Sequence, residues 1–427
     1  MKKTLLVPIF LFMVGCADNK KTSEVSEEIT SLNQLVSDLD YFSLREEFDN
    51  FKNQLPKKDS LYFKAIIISA FNKPKESNKL IEEFLKHSEQ GIDDTLTKKL
   101  LQTKLINHIY LSEYSKALQT NEILQQKYDR LLDSVALEDL RNTHKIWSSL
   151  SNVPKQRAII NKDVTLPIKK DKAGLSTVPV NFGDIPMDFV FDTGANFSVV
   201  QKSVAEALGM EIIPANFKVG AATGLEVKSD LAIAKKLELG SITLENVIFL
   251  VFEDKDLSFP SIEYEIKGIL GFPAIRSLQE IHITKDSLFI PAKPKDFALY
   301  NLAYNEYMPI VKAHYKDDDL RFNFDTGAQE TSLYSRFFQK YRHDIESKNK
   351  KTNFRTGGAG GHISFEGYKL DTVKLAIGNS NAILNDIQVF PEKIGTADGL
   401  HGNLGQDFIQ QFGTMIISFK DASLLFE

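Results

Sequence analysis

Two short segments of this 427-residue chain join a carboxylate to a hydroxyl and a tight turn: Asp192-Thr193-Gly194-Ala195 and Asp325-Thr326-Gly327-Ala328, 133 positions apart. Either one alone is an ordinary β-turn sequence, because Asp and Gly are common turn formers. Together they could do chemistry. Two carboxylates held a few ångströms apart cannot both ionise cheaply, so one proton is shared and the titration belongs to the pair. The ionised member can take a proton from water while the protonated member donates to a carbonyl oxygen. That division of labour hydrolyses an amide without a metal or a covalent intermediate. Asp192 and Asp325 are therefore the candidate catalytic residues.

Other chemistries find little support. The net charge is −5, with 26% charged residues, and carries no basic footprint for nucleic acid. A single cysteine rules out an intrachain disulfide, no Cys/His cluster has metal-ligand spacing, and no cofactor is expected. Gly357-Gly358-Ala359-Gly360-Gly361 looks superficially like a phosphate cradle, but no Gly-Lys-Ser/Thr follows it. His362 and His401, beside glycines, read as solvent-facing. Asp317-Asp318-Asp319 reads as a solvated turn rather than a calcium site, and Trp147 as helical core.

The elements that must position the two aspartates repeat in step. Met187, Phe189 and Phe191 alternate along a strand leading into Asp192, and Leu320, Phe322 and Phe324 do the same before Asp325. Each turn is followed by a candidate helix. Gly268-Ile269-Leu270-Gly271 lies 76 residues beyond the first aspartate, and Gly402-Asn403-Leu404-Gly405 lies 77 beyond the second. Ser287-Leu288-Phe289 and Leu424-Leu425-Phe426 close the two copies, with Pro291 to Pro294 as the linker. Two mostly-β lobes are expected, over residues 158–292 and 300–427. Glycine-rich stretches about thirty residues after each aspartate suggest hairpins over a cleft: Gly220, Ala221, Ala222 and Thr223 in one copy, Gly358, Ala359 and Gly360 in the other.

Residues 159–427 resemble the retropepsin-like aspartic peptidases, in which each of two lobes supplies one aspartate. The resemblance implies an acid-protease fold and a peptide or protein substrate held extended in the cleft. It implies supporting roles for Thr193 and Thr326, whose hydroxyls would lock the two loops together, and for Gly194 and Gly327 at the sharp turns. The hydrophobic-Gly segments would pack around each loop, with Asn403 departing from the apolar pattern. Ala195 and Ala328 resemble the retroviral type rather than the pepsin type, which commonly has a hydroxyl there. Without that hydrogen bond, carboxylate ionisation is less favoured, and activity is expected nearer neutral than strongly acid pH.

The first part of the chain reads differently. Lys2 and Lys3 precede an apolar run, Leu5 to Val14, too short to span a bilayer and ending at the only cysteine, Cys16. This resembles a bacterial lipoprotein signal over residues 1–15, with Cys16 lipidated and anchoring an exported protein to a cell-envelope membrane, the outer membrane by preference. Residues 16–28 are too poor in apolar side chains to fold alone and read as a flexible tether. From 29 to 151 apolar residues recur at helical spacing, with hairpins over Leu61–Leu85 and Leu96–Leu124 and a period of about forty residues. This domain is either a degenerate tetratricopeptide-like solenoid or an irregular bundle, and a solenoid of this kind would take a protein partner. The expected architecture is thus multidomain α + β, a helical domain followed by two retropepsin-like lobes. The expected function is aspartic endopeptidase, against a rival in which the fold survives as a non-catalytic peptide-binding lipoprotein.

Overall fold

The computed structural model describes residues 16–86, 93–220, 226–260, 263–358, 361–393 and 399–427, with 16–25, 356–358 and 361–363 described as backbone only. Residues 1–15 of the expected signal lie outside the described residues. The protein is a multidomain α + β structure, with an N-terminal helical region followed by β-rich lobes.

Among the described residues, seven α-helices come first: α1 (Cys16–Ser37), α2 (Tyr41–Phe51), α3 (Lys57–Ala70), α4 (Pro74–Lys86), α5 (Asp94–Tyr110), α6 (Tyr114–Lys127) and α7 (Ser134–Leu150). Asp40, Asp93 and Asp133 cap α2, α5 and α7 by accepting backbone N–H bonds from Ser43, Thr95 and Ala136. The α3–α4 and α5–α6 turns carry Asn72 and Ser112 in the left-handed region, at φ 60° and 51°. They sit forty positions apart, as the repeat predicts. Buried Ser77 and Ala117 then fall at matching places on α4 and α6. A buried polar cluster ties the array: Asn107 of α5 donates to Ser77 and Asn78 of α4, both at 2.9 Å, and accepts from Ser69 of α3 at 2.7 Å.

One expectation changes here. Helix α1 begins at Cys16, so the segment read as a tether over 16–28 is helical. Its polar composition gives it no core of its own. Once Leu32 and Val36 are buried and the helix is nucleated, however, extending it costs little per residue, and Ala, Glu and Lys are good helix formers.

Each β lobe is built on the same four-strand centre. In the first, Ser198–Gln201, Gly268–Leu270, Ile185–Phe191 and Ser176–Phe182 are neighbours in that order. In the second, the order is Ser332–Leu333, Gly402–Leu404, Asp318–Phe324 and Met308–Tyr315. The aspartate-bearing strand pairs in parallel with the Gly-x-Leu strand in both lobes, an arrangement only a crossover connection can supply. Helices follow two strands of each centre: α8 (Lys202–Ala207) and α9 (Phe272–Arg276) in the first lobe, α10 (Ser335–Lys348) and α11 (Gln406–Ile409) in the second.

A five-stranded sheet joins the copies beneath. It runs Val164–Pro167, Ser287–Ile290, Glu280–Ile283, Met415–Ser418, Ser423–Phe426, and its central pair crosses from one lobe to the other, with Ile281 opposite Ile417. Asp318 and Asp319 belong to a strand rather than to a turn; the turn is Lys316-Asp317, with Lys316 at φ 54°. Asp318 accepts hydrogen bonds from Tyr341 and Lys340, so it is not merely solvated.

Candidate active site

The parallel pairing delivers each aspartate to the same point. Beyond Phe191 the chain leaves its strand, and the Asp192 N–H donates to Leu270 O at 3.1 Å; the Asp325 N–H donates to Leu404 O at the same distance. Phe189, Phe191, Phe322 and Phe324 are buried behind the loops, which is what the alternating pattern was for. The segments after the Gly-x-Leu strands hold the loops from outside. Phe272 N–H donates to Ala195 O, and Gln406 N–H to Ala328 O, at 2.8 and 2.9 Å.

Four hydrogen bonds cross between the loops. Thr193 Oγ1 donates to Phe324 O and accepts from the Thr326 N–H, both at 3.1 Å. Thr326 Oγ1 donates to Phe191 O at 3.1 Å and accepts from the Thr193 N–H at 3.0 Å. Both threonines are almost fully buried, so the bonds are shielded from water. Each hydroxyl serves one donor and one acceptor of the opposite lobe, and the two loops are fixed face to face.

The glycines follow from that closeness. A Cβ on Gly194 would lie 2.5 Å from the Asp325 carboxyl, and one on Gly327 would lie 2.3 Å from the Asp192 carboxyl. No larger residue fits either place. The two carboxyls are within hydrogen-bonding reach of each other. Burial, then the charge of Asp325, pushes Asp192 well above the usual carboxylate range. Burial raises Asp325 too, but hydrogen bonds from Asp192, the Gly327 N–H and Asn403 oppose it. A pair in this state holds one proton over a wide pH range and can serve as acid and base at once.

Ala195 and Ala328 close the two turns, and the Ala328 N–H donates to Asp325 Oδ1 at 3.1 Å. Gly220 ends the strand Glu211–Gly220, paired with Glu226 across a hairpin; Ala221, Ala222 and Thr223 lie outside the described residues. Gly358 pairs with Gly361 in the second hairpin, whose Ala359 and Gly360 lie outside them as well. Cys16 opens α1. No group of described His, Cys, Asp and Glu residues could hold a metal ion. His401 is buried, not solvent-facing. Its Nδ1 accepts the Arg321 N–H at 3.2 Å, and burial followed by the Arg321 and Arg336 charges drives its pKa down to about 3. A flanking glycine gave no warning of this, because the strand pairing that buries His401 is non-local.

One part of the site was only half visible in the sequence. Asn403 Nδ2 donates to Asp325 Oδ2 at 3.4 Å, and Asn323 Nδ2 donates to Asn403 Oδ1 at 2.6 Å. The departure at Asn403 stands out in Gly-Asn-Leu-Gly. Its partner Asn323 would have been found by carrying the 133-residue offset back to Val190, where a polar residue replaces an apolar one.

Compared with known proteins, residues 178–274 match the family model described as aspartyl protease. The match contains Asp192 and Gly268–Gly271 and ends before Asp325. No curated protein matches the chain. The family match supports an aspartyl protease domain in the first copy, built around the strand, turn and Gly-x-Leu-Gly segment described above.

Proposed function

We propose that this protein is an aspartic endopeptidase whose two β lobes supply one aspartate each, Asp192 and Asp325, to a single water-activating dyad. The observation that carries this reading is the reciprocal set of threonine hydrogen bonds between the loops, with each turn glycine against the opposite carboxyl. Two unrelated turns would have no reason to be locked in this way. The substrate is a peptide or protein in extended form, and the residues at hand require no cofactor.

The chain is exported on this reading, with residues 1–15 removed and Cys16 lipidated to anchor the enzyme at a cell-envelope membrane, the outer membrane being the preferred site. Lys2, Lys3, the Leu5–Val14 run and the position of the sole cysteine support it. No described helix is long and apolar enough to cross a membrane. Incorporation of a radiolabelled fatty acid into the full chain, lost in Cys16→Ser, tests the anchor.

The test of the peptidase reading is cleavage of a broad peptide library by the chain from Cys16 onward. Asp192→Asn and Asp325→Asn should each lower kcat/KM by about 10³-fold or more, since neither carboxyl can do both proton transfers. Cleavage that survives in either variant would refute a shared dyad. Tight peptide binding without cleavage by the unsubstituted protein would make it a binding protein instead.

A further inference from the structure

The duplication supplies an internal control for the surroundings of each aspartate. Beside Asp192, Val190 pairs with Ile269, and Ile269 pairs on its other side with Val199. Beside Asp325, the same three positions hold Asn323, Asn403 and Ser332. Three adjoining apolar residues in one lobe are two amides and a hydroxyl in the other.

The amides are ordered in one direction. Asn403 spends its oxygen on the Asn323 amide, at 2.6 Å, so what it offers Asp325 Oδ2 is an N–H, at 3.4 Å. Turning both amides over would set a carbonyl oxygen against the carboxylate. Backbone donors do not distinguish the two aspartates: Asp192 receives the N–H groups of Gly194 and Ala195, Asp325 those of Gly327 and Ala328. The side-chain donor from its own lobe is what Asp325 has and Asp192, beside an isoleucine, lacks. A carboxylate with one more donor is the easier one to ionise.

We infer that the Asn323–Asn403 amide pair gives the two aspartates unequal roles, holding Asp325 as the carboxylate that takes the proton of water and leaving the shared proton on Asp192. The inference rests on the peptidase reading above. Asn323 and Asn403 are positioning residues, acting through Asp325. In the first step, water's oxygen bonds to the substrate carbonyl carbon while its proton passes to Asp325. The carbonyl π pair moves to the oxygen, which takes the proton of Asp192, giving a neutral gem-diol. In the second, Asp325 returns its proton to the amide nitrogen as the C–N pair leaves with it. One gem-diol hydroxyl returns a proton to Asp192, leaving a free acid, a free amine and the dyad as it began.

The neighbouring titratable groups do not reverse this order. Asp192 faces Asp325 directly. The Tyr334 phenol, at the start of α10, is pushed far up by burial and by the Asp325 charge, so it stays neutral. His401, two residues before Asn403, is neutral down to about pH 3, and its neighbour Arg321 is paired with Asp40 at 2.7 Å.

The test follows the aspartate side-chain carboxyl ¹³C signals through pH in the mature chain, assigned with Asp192→Asn and Asp325→Asn. Asp325 should ionise first, with Asp192 following at least about one pH unit later. In Asn323→Val/Asn403→Ile, which installs the first lobe's own pair, the Asp325 step should rise by about one unit, and the acid limb of kcat/KM should rise with it. The reciprocal Val190→Asn/Ile269→Asn should lower the Asp192 step. A protein in which Asp192 ionises first overturns the inference without any variant. So does a folded double variant with an unmoved Asp325 step. The expected order without peptide cleavage would sink the peptidase reading and leave the proton where we assign it; cleavage with the reverse order would do the opposite.

Discussion

At the scale of single residues, the site is held by groups whose partners lie in the other half of the chain. Thr193 shows what that costs to lose. Thr193→Val keeps the shape but leaves Phe324 O and the Thr326 N–H without their partner in a buried place. A loss of about 2–4 kcal/mol in unfolding free energy is expected, read by denaturant titration, with activity falling further than stability as the loops lose their register. An unchanged midpoint would show that the cross-lobe bonds are not made in solution. The dyad also sets a pH signature. Burial raises both carboxyls, so a singly protonated pair persists to higher pH than for exposed aspartates. Both limbs of the pH–rate profile should lie above the usual carboxylate range. A maximum below about pH 3 would contradict this, and with it the significance of Ala195 and Ala328.

At the scale of elements, the two lobes reuse one plan with unequal detail. α8 spans six residues and α10 fourteen, although both follow an Asp-Thr-Gly-Ala turn. The longer helix buries Phe337, Phe338 and Ile345 against its own lobe, which α8 has too few turns to do. In the helical region, register between hairpins depends on Asn107 at the α3–α4–α5 junction. Asn107→Ala strips Asn78 and Ser69 of a buried partner and leaves a small cavity. Unfolding should become easier by about 3 kcal/mol, with the apparent Tm lower by several degrees. A thermal scan with no shift would mean that water or a rotated serine satisfies the cluster.

At the scale of the whole molecule, the helical region is wedged against the main sheet of each lobe and the end of the joining sheet. Asn142 of α7 clamps the strand Glu211–Gly220 at Lys218, accepting its N–H at 2.9 Å and donating to its carbonyl at 2.6 Å. Asp40 at the head of α2 pairs with buried Arg321 of the second lobe, and Tyr41 donates to Asn305 at 2.8 Å. Asn72 of the α3–α4 turn donates to Phe419 O, beside the joining sheet, at 2.6 Å. Trp147 is buried as the sequence suggested, but it lies between Tyr114 of the helices and Phe197 of the first lobe. Its core continues into the β lobe through Val190, Phe217 and Ile248. Deleting residues 29–151 would expose that shared core and strand the Arg321 charge, a change of several kcal/mol. The β lobes alone, residues 152–427, should therefore be insoluble or melt at least ~10 °C lower. A soluble fragment with the parent Tm and full peptide cleavage would show that the helices are a separable scaffold.

Local patterns in the sequence pointed to the two candidate aspartate turns and to the symmetry of the strands around them. An alternating apolar strand, Asp-Thr-Gly-Ala and Gly-x-Leu-Gly are local patterns, and their repetition in step was readable because a duplicated chain aligns with itself. The hairpin turns near Pro74 and Ser112 were readable too, since helix ends are written in nearby residues. Everything that depends on which distant strands lie side by side came from the fold. The meeting of Thr193 with Phe324 O, the burial of His401 and the docking of α7 on Lys218 are of this kind. So is the bond from Asn403 to Asp325. Each joins residues more than seventy positions apart, and pairings at that separation leave no periodic trace in the residues between them.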